Sequence, residues 1–349
     1  VNSIVLSAAQ TSLKTVTCVG LFTVNQYDIY SNLATANKPL SYTVSGYGSA
    51  NIYLDSVCTQ TSTGTFATDG SDTGFKFYLK NSLAESLTVN VDDVGSIIAS
   101  DLAIHFGPSQ ISITLPSSPR SGDCSAVALS LKDGLNNVTA ALFDYEFTLA
   151  EASGWKFYGQ GDSSCSATEI TKISFAKGDS VKNIFFKPTG HGASQVTATD
   201  ATSYFTMASA MTSIGPRKLI WEHGALTSAD YCFPMKVKAY DSEDNLAPAL
   251  TAITISLTDS SASATFYSLA DTDCSGAPIT SATIPFGGDN VQFRFRDSVA
   301  ETVNITATDA AAVLIAGTSS LVVGPNKLSI IGSNPIRSGD CNAYSVSPI

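Results

Sequence analysis

Seven cysteines carry the most specific chemistry in this chain. Cys18, Cys58, Cys124, Cys165, Cys232, Cys274 and Cys341 are separated by 40, 66, 41, 67, 42 and 67 residues. A thiol pair at a short interval, recurring roughly every hundred residues, suits oxidation to one structural disulfide per repeat: Cys18–Cys58, Cys124–Cys165 and Cys232–Cys274. Each bond closes a loop of about 40 residues, worth about 3–4 kcal/mol on the chain-entropy account. The competing reading is a buried free thiol pair that recurs because its domain recurs. Cys341 falls in register as the first cysteine of a fourth pair, so its partner is expected outside the segment, beyond Ile349. No CxxC occurs and only three histidines are present, so zinc-ligand spacing is absent.

Carboxylates are the next candidates. Asp93, Asp200 and Asp309 each follow the second cysteine of a pair by 35 residues. Calcium requires six to eight converging oxygens, and the stretches 106–110, 214–218 and 323–327 between repeats contain no carboxylate. These aspartates are therefore expected to end strands by bonding their own turns. Asp241, Glu243, Asp244 and Asn245 form a denser oxygen cluster, a calcium candidate set against a solvated hairpin, in one repeat only and without the glycine of an EF-hand loop. No other cofactor is implied. His105, His191 and His223 sit at non-equivalent places, and no nucleophile elbow, HExxH or P-loop accompanies them. An enzyme is not expected, and no ligand-binding residue can be named.

The elements that must position these groups repeat with the cysteines. Gly107-Pro108, Gly215-Pro216 and Gly324-Pro325 each open a unit, followed by short apolar runs at 111–115, 219–221 and 328–331, with 4–6 at the start. The tetrapeptide SGDC occurs at 121–124 and again at 338–341. Ile52-Tyr53, Phe157-Tyr158 and Phe266-Tyr267 precede the second cysteines, and one side chain of each pair is expected in the core rather than on a sugar-stacking face. Lys80, Lys187 and Arg296 follow those cysteines by 22 residues and are read as edge or surface charges that discourage wrong strand pairing. Period-two alternation dominates, as in 127–131, 237–240 and 303–307, and turn signals such as Asp133-Gly134 and Gly287-Gly288-Asp289 separate the runs. About seven strands per unit predicts an all-β chain of tandem immunoglobulin-like β-sandwiches, arranged as an extended rod. The expected units are 1–107, 108–215 and 216–324, with 325–349 the opening strands of an incomplete fourth.

One pattern runs through Cys232, Val237, Asp241, Thr265 to Ser268, Cys274, Thr283-Ile284, Phe293 to Asp297 and Thr306 to Asp309. It resembles tandem bacterial immunoglobulin-like repeats of large surface proteins of Gram-negative bacteria. The third unit matches best and the first most loosely. The resemblance implies a cell-surface location and no particular ligand.

Charge narrows the partners. With 19 basic against 30 acidic residues the net charge is −11, which repels phosphate backbones and anionic headgroups, so neither nucleic acid nor membrane is an expected partner. No apolar run is long enough to span a bilayer. Expected partners are neighbouring repeats or other copies of the same protein, and a cell-surface, host or prey ligand reached through regions outside this segment. The function expected is structural and adhesive: an extracellular stalk or fibre segment of a bacterial surface protein. Two alternatives stand: a self-assembling fibre subunit whose segment 326–349 completes a neighbour's sheet, and an accessory module of a secreted carbohydrate-acting enzyme.

Overall fold

Alternating burial is why these segments become strands. In Ser125–Lys132, Val127, Leu129 and Leu131 are buried while the residues between them are partly exposed, so one face seeks a partner layer and the other meets water. A computed structural model describes residues 1–95, 98–151, 154–332, 338, 341 and 343–348, and among these no helix is formed.

The first unit contains β1 (Ser3–Ala8), β2 (Ser12–Lys14), β3 (Val19–Tyr27), β4 (Leu40–Ser45), β5 (Asn51–Tyr53), β6 (Thr61–Ser62), β7 (Thr65–Thr68), β8 (Gly74–Lys80), β9 (Ser86–Asp93) and β10 (Ala99–Gly107). The second contains β11 (Gln110–Thr114), β12 (Ser125–Lys132), β13 (Tyr145–Glu151), β14 (Lys156–Tyr158), β15 (Glu169–Ile170), β16 (Lys172–Phe175), β17 (Val181–Lys187), β18 (Gly192–Asp200) and β19 (Ala208–Ile214). The third contains β20 (Lys218–Glu222), β21 (Leu226–Ser228), β22 (Phe233–Tyr240), β23 (Ile253–Asp259), β24 (Ala264–Ser268), β25 (Pro278–Ile279), β26 (Ser281–Ile284), β27 (Asn290–Asp297), β28 (Thr302–Asp309) and β29 (Gly317–Gly324). A hairpin of β30 (Leu328–Gly332) and β31 (Tyr344–Pro348) follows.

Each unit stacks two sheets. In the third they run β20-β22-β27-β24-β25 and β21-β29-β28-β23-β26. Leaving aside the short edge pieces, this is the ABED and GFC order of an immunoglobulin-like sandwich, with a parallel first-strand extension, β21 on β29. The fold is all-β. The strand count exceeds seven because the first strand splits in two in the first and third units, and short segments flank the third and fourth strands in every unit. Three separate cores fill the sandwiches, from Ile4 to Phe106, Ile111 to Ile214 and Leu219 to Val323.

Two expectations need correction. Lys80 and Lys187 end β8 and β17, and Arg296 is the penultimate residue of β27; these strands lie between two partners in mid-sheet, so the three charges guard no edge, and Arg296 pairs with Asp230 at 3.0 Å. In the aromatic pairs the first residue is buried in every unit (Ile52, Phe157, Phe266), but Tyr158 is buried as well, so the second unit takes both rings inside.

Candidate functional site

A single turn recurs at the start of every unit. Asp28, Asp133 and Asp241 each accept backbone N–H bonds from the residues two and four further on, and each meets the side-chain amide of an asparagine four residues later: Asn32, Asn137, Asn245. The left-handed residue that closes the turn is Ser31, Asn136 or Asp244. The Asp241 turn is therefore not peculiar to one repeat, although Glu243 and Asp244 add carboxylates found only in the third. It is the third copy of an aspartate-capped hairpin turn.

In the second and third units this carboxylate also reaches into the preceding unit. Asp133 Oδ2 accepts the Ala84 N–H at 3.2 Å, and Asp241 Oδ2 is 2.8 Å from His191 Nδ1. Ala84 and His191 each lie 26 residues past the second cysteine of their unit, so the two joints use one contact point. Both aspartates are buried. Burial works to raise the pKa of each, but donors outweigh it: the amides of Asn137, Ala84 and Leu135 for Asp133, and His191, Asn245 and Glu243 for Asp241. Both carboxyls stay below their ordinary value.

Three further contacts repeat across the joints. Lys14 and Arg120, each four residues before a first cysteine, donate to the backbone carbonyls of Tyr204 and Val313 in the next unit. Leu142 and Leu250 cover Gly107 and Gly215, where an added Cβ would meet a leucine carbon at 2.5 and 3.3 Å. The glycine of the first two Gly-Pro boundaries thus admits the neighbour's leucine. Val16 faces Gly134 at the first joint, whereas Gly122 faces Ser242 at the second. Val16 and Gly122 occupy equivalent positive-φ positions, so bulk is exchanged across the interface between the two joints. Polar contacts fill the rest. Thr15 Oγ1 donates to Ser109 Oγ, Ser121 bonds Ser242, and Asp123 bridges Arg120 and Arg217. Carboxylates absent from the boundary peptides arrive at the joints from turns distant in sequence.

The first cysteine of a pair follows these joint residues closely: Val16 precedes Cys18 by two residues, and Asp123 is next to Cys124. Cys18 is bonded to Cys58, Cys124 to Cys165 and Cys232 to Cys274, with Cα atoms 5.5–5.6 Å apart. Each bond ties the approach to the second strand of a sheet to the loop after the fourth, passing the end of the strand between them. Cys58, Cys165 and Cys274 all have positive φ. An aspartate three residues earlier holds each loop: Asp55, Asp162 and Asp271 accept the N–H groups four and five residues on. This Asp-x-x-Cys signal was readable in the sequence. Cys341 is exposed and unbonded; much of its surroundings lies outside the described residues.

The other candidates scatter. Asp200 and Asp309 accept amides from their own turns, at Thr202, Tyr204 and Phe205 and at Ala311, Val313 and Leu314; Asp93 accepts Ile98 N–H. Asp244 pairs with Lys218, and among the described residues no group of three His, Cys, Asp or Glu side chains is placed to hold a metal ion. His105 meets Ser86 Oγ at 2.8 Å, and His223 lies between Ser319 Oγ and the Gly224 carbonyl. Neither contact supplies the carboxylate that would orient the imidazole in a Ser-His-Asp array.

No family model matches the chain, and no curated protein matches it. Among solved structures it is similar to FdeC, an Escherichia coli adhesin, at 13% identity and a TM-score of 0.45, covering 92% of this chain and 96% of that one. It is similar to invasin, a bacterial integrin-binding protein, at 12% identity and a TM-score of 0.34, covering 94% of this chain and 61% of that one. A β-glycosidase from Bacteroides vulgatus also matches, at 9% identity and a TM-score of 0.25, over 62% of this chain and 25% of that one. The fold assignment here rests on the strand order itself.

Proposed function

We propose that the chain is an extracellular spacer of a bacterial surface protein, built from units 1–107, 108–215 and 216–324 and the opening strands 325–349 of a further unit. The observation that carries this reading is the repetition of the joint: Asp133 on Ala84 and Asp241 on His191, with Lys14 and Arg120 on the carbonyls of Tyr204 and Val313. Contacts that recur at equivalent positions give each unit the same purchase on the next, which a spacer needs and a flexible string of beads does not. Disulfides keep each sandwich intact where survival depends on unfolding rate, and they suit an oxidising location. Binding of a surface, host or prey ligand is assigned to regions outside this segment. Small-angle X-ray scattering on the intact chain tests the reading. Three sandwiches end to end, each roughly 35–40 Å long, give a single maximum dimension on the order of 110 Å. A folded-back particle, or a broad spread of dimensions, is incompatible with it.

A second reading draws on the terminal hairpin. Leu328, Ile330, Tyr344 and Val346 share one face of β30–β31 by register, and all are exposed. In this reading a neighbouring chain's sheet covers that face, since a two-stranded sheet alone is marginal in water, and strand addition of this kind builds a self-assembling fibre. Concentration-dependent sedimentation, lost on deleting 326–349, supports this reading; a monomer at all concentrations removes it.

A further inference from the structure

The repeat supplies an internal control for what the sandwich requires, and one cleft departs from it. Phe143 in the second unit stands where the first and third carry Lys38 and Thr251; Tyr145 stands where they carry Leu40 and Ile253; Tyr204 corresponds to Val313 in the third. The fold therefore needs no aromatic ring at any of these places. All three rings nevertheless line one cleft of about 490 Å³ between the first and second units, closed by Gln10, Thr11 and Ser12 of the β1–β2 turn and by Asp144 and Thr202. Tyr145 and Tyr204 stack at 5.5 Å, Phe143 meets Tyr145 edge-on at 6.4 Å, and Lys14 Nζ lies over the Tyr204 ring at 5.1 Å. Phe143 itself is 48% exposed. The corresponding cleft at the second joint, about 340 Å³, is walled by residues such as Pro119, Leu250, Ile253 and Val313 and contains no aromatic ring.

We infer that the cleft between the first and second units is a binding site for a neutral saccharide. Ligand sites favour junctions between domains, where apolar and aromatic walls meet a few polar groups. An exposed ring offers its face to the C–H side of a sugar, while Gln10, Thr11, Ser12, Asp144 and Thr202 present amide, hydroxyl and carboxylate groups to sugar hydroxyls. No lysine or arginine lines the cleft, and the chain carries −11 charges, so an anionic glycan is not the fit. The site is independent of the spacer reading, because it stands or falls on one exposed ring.

Affinity electrophoresis of the intact chain through gels containing dextran, laminarin or galactomannan, with alginate as the anionic contrast, tests this. The wild-type chain is expected to be retarded in at least one neutral gel. F143T installs the third unit's own residue, so folding is preserved, and it is expected to weaken that retardation about tenfold with an unchanged melting temperature. T251A, at the matching place in the other joint, is expected to change nothing. Absence of retardation in every neutral gel, retardation confined to alginate, or equal retardation of F143T would each overturn the assignment.

Discussion

Asp241 in the third unit lies 2.8 Å from the His191 imidazole of the second, at the same place in the fold where Asp133 receives the Ala84 amide from the first. One carboxylate thus closes its own turn with one oxygen and holds the neighbouring unit with the other. Local and inter-unit order share a side chain.

Asp133→Ala and Asp241→Ala should each loosen a joint as well as a turn. Both side chains are buried, and removal strands the amides of residues 135 and 137 or 243 and 245. A loss of about 1–3 kcal/mol is expected, read from urea denaturation, together with a broader distribution of maximum dimensions in scattering. A destabilised unit with unchanged inter-unit geometry would show that the joint does not depend on this contact.

The Val16–Gly134 pair offers a test by exchange. A Cβ at position 134 would lie 2.2 Å from Val16 Cγ1, so Gly134→Ser is expected to destabilise the chain or displace the joint. V16G/G134S recreates the Gly122–Ser242 pairing of the second joint and relieves a β-branched residue of its φ of 58°. The double variant is expected to recover most of the loss, measured as a coupling energy in a double-mutant cycle. Additive losses would refute the packing account.

Disulfide stability should depend on the aspartate of each cysteine loop. Asp162 accepts the amides of Ser166 and Ala167 and so fixes the turn that places Cys165 at a φ of 51°. Asp162→Ala is expected to speed reduction of Cys124–Cys165 by mild thiol, followed by mass mapping, while Cys18–Cys58 and Cys232–Cys274 react at wild-type rates. C124S/C165S is expected to lower stability by about 3–4 kcal/mol. Uniform reduction rates in Asp162→Ala would separate the loop cap from the bond.

Acid should weaken the joints. Asp133 and Asp241 have folded-state pKa values below the ordinary carboxylate value. Their contribution is complete above the unfolded value of about 4 and disappears as pH falls through the lower folded values. The melting temperature is expected to be flat on this account from pH 7 to about 5 and to drop below about 4, with a shallower drop in D133A/D241A. An identical acid limb in the double variant would assign the transition to other carboxylates.

Much of the architecture was legible because it depends on short-range regularities. Period-two burial places Val127, Leu129 and Leu131 on one face whatever surrounds them, and the cysteine interval counts the units without any knowledge of their packing. The Asp-x-x-x-Asn turn was equally legible, 10 residues after the first cysteine in the first unit and 9 in the second and third. Acidic density at Asp241, Glu243, Asp244 and Asn245 obscures it, since only the third unit adds Glu243 and Asp244 to the turn. The mid-sheet place of Lys80, Lys187 and Arg296 was not legible, since a strand's flanking partners are set by chain crossings and not by its own residues.

The sequence by itself determined an all-β chain, its repeat length and which residues turn inward, because alternation and turn chemistry act between near neighbours. Only the tertiary structure decided that Ala84 and His191 are equivalent contact points, that Leu142 and Leu250 close over the boundary glycines, and that Phe143, Tyr145 and Tyr204 meet in one cleft with Gln10. Those residues come from units whose relative placement is fixed by contacts between groups 35 to 193 residues apart. No local pattern encodes such a distance.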